Sequence, residues 1–194
     1  MALGKMLEVV TRINSSLRLH TGSVSQETGT GPEGSTSRLA CVNEELARAY
    51  HIVMRSFVDT GRAPHYTDIA REMGTEPEHA RLLLHELTSM RLPNWLSPGT
   101  DLIASFAPFS NIPNHHRVSV DGEQRWFAQC GLEALALGHL FPGRTVDVAS
   151  TCLDCGDAIR LTLRDASLVA LEPSSVVAHS NVPLADWYVD VGKS

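Results

Sequence analysis

The spacing of apolar residues changes period partway along this 194-residue chain, and that change sets its fold class. Before Met90 the apolar residues recur at intervals of three and four, with Leu46, Ala49, Tyr50, Val53, Met54 and Phe57 forming one stripe. From Ala107 onward alternation takes over, as in Arg117-Val118-Ser119-Val120. The first spacing buries one face of a helix and the second buries one face of a strand. Helices followed by strands make an α+β chain.

Three segments follow from this. Residues 1–37 hold a short amphipathic helix over residues 3–19, built on Leu3, Met6, Leu7, Val10, Ile13 and Leu17, and a linker over residues 21–37 rich in Gly, Ser and Thr. With Val24 as its one large apolar residue, the linker has too little to bury to offset the entropy of ordering it. Residues 38–106 read as a helical, winged-helix-like unit. One helix ends near Thr60-Gly61, a short one capped by Thr67 runs to Met73, and a third opened by Thr75 runs to Met90. That order matches a helix-turn-helix, with Leu102–Phe106 as a candidate wing strand.

Residues 107–194 read as a small mixed sheet with one buried helix. Arg117–Val120 and Gln124–Ala128 flank Asp121-Gly122, a two-residue hairpin turn. Cys130 then opens the apolar helix Gly131–Leu137, which Phe141-Pro142-Gly143 ends. Short strands are expected at Thr145–Ser150, Ile159–Leu163, Leu168–Leu171 and Val176–Ala178.

Charge narrows the function. Asp and Glu number 22 against 16 Lys and Arg, a formal charge of -6, the wrong sign for a chain that grips phosphate backbones. The third helix carries Glu76, Glu78 and Glu86 against Arg81 and Arg91, so nucleic-acid binding is disfavoured there and a packing role preferred. No run approaches the ~18 apolar residues of a membrane span. No signal-peptide pattern opens the chain, so a cytoplasmic protein is expected.

The chemistry sits in the cysteines. In a reducing compartment, the four at positions 41, 130, 152 and 155 point to thiolate or metal chemistry rather than crosslinks. Cys130, at a strand-to-helix junction, would feel the helix N-terminus, which lowers a thiol pKa. Glu133 shares its helix face three positions on. The pair reads either as a nucleophile beside a proton source or as a small buried residue followed by an ordinary first-turn Glu. Cys152-Leu153-Asp154-Cys155-Gly156 is half of a zinc knuckle. Cys130 would be a third metal ligand, and His115, His116, His139 or His179 a fourth. Cys41 reads as a packing residue.

Three blocks then resemble one family. Pro108-Phe109-Ser110 through His116-Arg117-Val118, Trp126-Phe127-Ala128-Gln129-Cys130-Gly131-Leu132-Glu133-Ala134-Leu135, and Pro142-Gly143-Arg144 look like alkylmercury (organomercurial) lyases. The Cys152 knuckle and Leu171-Glu172-Pro173 extend the likeness, which covers about residues 107–173. Residues 39–90 are similar in pattern to that family's N-terminal helical domain.

The resemblance implies protonolysis of a carbon–mercury bond, with no required cofactor and an organomercurial or thiophilic metal ion as partner. In that family two thiolates take the mercury and an aspartic acid protonates the leaving carbon. By position, Cys130 is the first thiolate, Glu133 stands in the place of the acid, and Cys152 falls on a cysteine regarded as structural. This chain departs from the pattern in three ways. Glu133 is one methylene longer than Asp, no cysteine follows Cys155, and Cys155 pairs with Cys152. The expectation is therefore a lyase-like protein of impaired activity. The alternatives are a non-enzymatic module holding zinc or mercury on Cys130, Cys152 and Cys155, or a metal-responsive DNA-binding regulator.

Overall fold

The computed structural model of the protein describes residues 44–90 and 92–177. The N-terminal helix over residues 3–19, the linker, Cys41 and His179 lie outside the described residues. The chain divides into two compact units, Met1–Ala47 and Arg48–Ser194, and almost everything described belongs to the second.

Three helices come first: α1 (Glu44–Thr60), α2 (Tyr66–Met73) and α3 (Pro77–Ser89). The stripe read from the sequence is the buried face of α1, where Ala49, Val53 and Phe57 are inaccessible to solvent. Helix α2 is capped by His65 rather than Thr67. The His65 ring accepts the Thr67 N–H, and Asp68 reaches back to the His65 N–H, a reciprocal capping pair. Helix α3 begins after Glu76, without a side-chain cap, and Pro77 supplies the preset φ of a first helical turn.

A three-stranded sheet follows, in order β1 (Asn94–Leu96), β2 (Ile103–Phe106) and β3 (Phe109–Ser110). The expected wing strand is β2, and the two-residue β3 was not foreseen. The second sheet runs β5-β4-β6-β7-β8, built from β4 (Arg117–Val120), β5 (Glu123–Phe127), β6 (Thr145–Thr151), β7 (Ala158–Arg164) and β8 (Ser167–Glu172). Every strand pairing is antiparallel, so neither sheet is mixed. Short connections explain most of these pairs, while the long β5–β6 connection through residues 128–144 brings β6 back antiparallel to β4.

The expected helix over Gly131–Leu137 is shorter. Helix α4 is the single turn Gly131–Ala134, continued by a 3-10 turn over Leu135–His139. Its inward face is sealed at Ala134 and Leu137, while Leu135 is partly exposed. Val176 and Val177 are not in a strand.

Three contacts tie α1 and its end to the strand leading into Cys130. Trp126 is buried, and its indole N–H donates to the Phe57 carbonyl at 2.6 Å. Gly61 adopts φ +74° just past the end of α1, where a Cβ would lie 2.6 Å from Arg125 Cγ. Only glycine allows that approach. Arg125 also donates to the Asp59 carbonyl at 2.8 Å. Phe57 stacks on Phe109 with ring centres 5.0 Å apart, and Phe109 forms a backbone bridge with Ala128, two residues before the thiol.

Candidate functional site

Cys130 sits where β5 gives way to α4, and hydrogen bonds fix the backbone on either side. Ala128 N–H donates to the His116 carbonyl at 3.0 Å, and Gln129 N–H donates to the Pro108 carbonyl at 2.9 Å. The Asn114 amide donates to the Ala128 carbonyl, and the Gln129 amide donates to the Pro93 carbonyl, each at 3.0 Å. Cys130 itself is extended (φ -150°, ψ 173°) and acts as the N-cap of α4, its Sγ accepting the Glu133 N–H at 3.4 Å. The chain thus enters the turn with the thiol pointed along the first helical residues.

Glu133 meets that thiol through a side-chain hydrogen bond. Burial pushes the Glu133 carboxyl up to about 8, so at neutral pH it carries its proton. Its Oε2 is buried and has no hydrogen-bond partner. The thiol is displaced in the same sense. Burial first, then the neighbouring Glu133, raises Cys130 to about 11.

This reverses the lowered pKa expected from a helix N-terminus. One helical turn aligns few peptide dipoles, and backbone N–H groups offset only part of the cost of removing a thiolate from water. Cys130 rests as a thiol beside a carboxylic acid, two protonated groups in contact.

Three further side chains surround the pair, and of these sequence reasoning gave only His116 a role, as one candidate for a fourth metal ligand. Tyr50, read as part of the α1 core stripe, lies close enough for Glu133 to act on its hydroxyl, and its ring packs on Phe106 with centres 5.3 Å apart. Burial and that carboxyl hold its hydroxyl protonated, well above the usual phenol range. The one signal in the sequence was a tyrosine, with its polar tip, in an otherwise apolar stripe. His116 lies against the thiol's neighbour, since a Cβ on Gly131 would be 3.6 Å from its Cε1. Burial lowers His116 to about 4, so the ring is neutral, and its Nδ1 is 2.8 Å from Ser150 Oγ. Gln129 Oε1 is a second buried atom without a partner.

The remaining candidate thiols stand apart. Cys152 and Cys155 occupy the β6–β7 turn, Cys152 half-buried and Cys155 exposed, and all three described cysteines are free thiols. Among the described residues no three His, Cys, Asp or Glu side chains gather as a metal site. The structure therefore does not bring Cys130 together with Cys152 and Cys155, as the three-thiolate zinc site required. The His115 ring lies tilted against that of His116, with centres 4.0 Å apart. Short turns hold each thiol where its own strand ends, which sequence spacing could not reveal.

A hydrogen-bonded thiol and carboxylic acid at a strand-to-helix junction, on an antiparallel α+β scaffold, define a thiol site with its own proton source. Residues 109–192 match the family model described as MerB, alkylmercury lyase. An alkylmercury lyase of Staphylococcus epidermidis is 34% identical over 116 residues, covering 60% of this chain and 50% of that protein. One from Bacillus cereus is 38% identical over 72 residues, covering 37% of this chain and 32% of its own length. The chain thus spans about half the length of the first of these relatives and less of the second. A solved structure, the mercury-bound form of MerB2, superposes with a TM-score of 0.50 at 20% identity, covering 69% of this chain and 62% of that one. At that identity the likeness is one of fold. Among the described residues no helix is long and apolar enough to cross a membrane.

Proposed function

We propose that this chain cleaves carbon–mercury bonds by protonolysis, with Cys130 as the mercury ligand and Glu133 as the proton donor. The observation that carries the reading is the contact between a thiol and a carboxyl group that both hold their protons at neutral pH. Mercury is soft and prefers sulfur, and metal binding drives the proton from a thiol even when its pKa is raised. An organomercurial R–Hg–X and the Cys130 thiol give R–Hg–S(Cys130) and HX. Glu133 then delivers its proton to the carbon of R, the Hg–C bond breaks, and RH leaves. The Glu133 carboxylate takes the vacated position on mercury. A small thiol R′SH displaces it, which re-protonates Glu133 and leaves mercury between two sulfurs.

Enclosure supports the acid step, since a general acid works best with a pKa near the working pH. His116 and Tyr50 contribute bulk and neutral polarity without adding a competing charge. The reaction needs no cofactor, and a reducing cytoplasm would supply the small thiol. The three helices and the β1–β2 hairpin are read as a winged-helix-like unit with a packing role, because α1 holds β5 through Phe57 and supplies Tyr50.

Anaerobic incubation with phenylmercury or methylmercury, with benzene or methane measured in the headspace, tests the reading. Hydrocarbon from the unmodified chain and none from Cys130→Ser is expected. No hydrocarbon at all, or equal yields from both, would overturn it.

A further inference from the structure

The β6–β7 turn presents two thiols that the proposed cleavage does not use. Cys152 and Cys155 hydrogen-bond to each other through their side chains, so the two sulfurs are already adjacent. Backbone N–H groups of Asp154 and Cys155 point at the Cys152 sulfur, and that of Asp157 points at the Cys155 sulfur. Cys152 N–H donates to the Asp157 carbonyl at 2.8 Å and Gly156 N–H to the Cys152 carbonyl at 3.0 Å, closing the loop. Gly156 takes the φ of +78° that this closure requires. Asp154 and Asp157 flank the two sulfurs, so the turn presents negative charge to an arriving cation.

The number of ligands narrows the guest. Zinc in a closed structural site takes four donors, and no third donor joins this pair among the described residues. Two adjacent thiols at an exposed turn suit a soft d10 cation that accepts two sulfurs in line, above all inorganic Hg(II).

We propose that Cys152 and Cys155 form a second, independent thiophilic-metal site, a two-thiolate chelate for inorganic mercuric ion. Its position also suits it to accept the product of cleavage, a role that rests on the proposed lyase activity. Ser150, which holds His116 against Gly131, lies on β6 only two residues before Cys152, about 7 Å along an extended strand. In the exchange, Cys130–S–Hg–SR′ and the two knuckle thiols give the bis-thiolate chelate, the Cys130 thiol and R′SH. Two S–Hg bonds form, two break, and both protons move to the departing sulfurs, with no change in oxidation state.

The binding test removes the lyase sulfur, so it stands apart from any failure of cleavage. The double variant Cys41→Ser/Cys130→Ser, fully reduced and anaerobic, is titrated with mercuric chloride and dialysed against excess monothiol. One mercury retained per monomeric chain is expected, with ultraviolet sulfur-to-mercury absorption. Adding Cys155→Ser should cut retention at least tenfold, while the circular dichroism spectrum shows the fold intact. Adding Cys152→Ser instead should give the same loss. Retention unchanged by either substitution would overturn the proposal, as would half a mercury per chain in a dimer.

Discussion

Two cysteine sites, one residue type, are set in opposite surroundings. Cys130 is enclosed beside a protonated carboxyl and resists ionising, pushed up to about 11. Cys152 lies at a turn where N–H groups and a neighbouring thiol hold it below its ordinary value. The contrast teaches that a helix N-terminus does not by itself make a thiolate. Solvation outweighs one turn of helix, whereas three hydrogen bonds at the Cys152 turn outweigh the burial and the Asp154 charge that oppose them. The enclosed pair holds its protons, whereas the open turn leaves two free thiols within reach of solvent.

The sharpest way to break this comparison is Cys130→Ser, which leaves the knuckle intact. Hydrocarbon release should fall at least ~10⁴-fold, as when a reacting group that others serve is removed. Glu133→Gln keeps the shape and loses the proton, so cleavage should fall by about 10²- to 10⁴-fold with mercury retention on Cys130 preserved. A loss of retention instead would make Glu133 a binding group rather than an acid.

Differential alkylation measures the contrast directly. With iodoacetamide at pH 8, Cys152 should be carboxamidomethylated at least tenfold faster than Cys130, the direction in which their thiolate fractions differ. Equal rates, read by peptide mass spectrometry, would erase the distinction between the two sites.

A smaller effect comes from pH. Glu133 holds its proton up to about 8, so cleavage should decline about tenfold per unit above that pH, and Glu133→Gln should lose this alkaline limb. Stability carries the same signature. The folded state binds the proton more tightly than the unfolded chain, whose carboxyl titrates near its ordinary value of 4.5. Its contribution is complete below that pH and is lost as pH rises towards about 8. A melting temperature followed over this range should fall with pH more steeply than in Glu133→Gln. The mildest test is Gly131→Ala. The added methyl meets His116 Cε1 at an ordinary 3.6 Å, so activity should change less than about twofold and stability by no more than ~1 kcal/mol.

Much of the scaffold was legible because local rules governed it. The α1 stripe, the Gly61 and Gly74 helix stops and the Asp121-Gly122 hairpin each follow from periodicity or from a residue suited to positive φ. The missed elements are those that depend on distant partners. The pair β3 is a strand only because it bridges Ala128 and pairs with β2, and His65 caps α2 only because its ring turns toward Thr67. The sheets read as mixed are antiparallel throughout.

At the candidate site, the sequence alone determined the placement of a cysteine and a glutamate one turn apart, and of a Cys-x-x-Cys turn elsewhere, because short-range geometry follows from spacing. Only the tertiary structure decided their protonation, which neighbours join them and whether the thiols meet. Those depend on burial contributed by segments remote in the chain, Tyr50 from α1 and His116 from the start of β4. A one-dimensional pattern holds no information about the solvent that such packing removes.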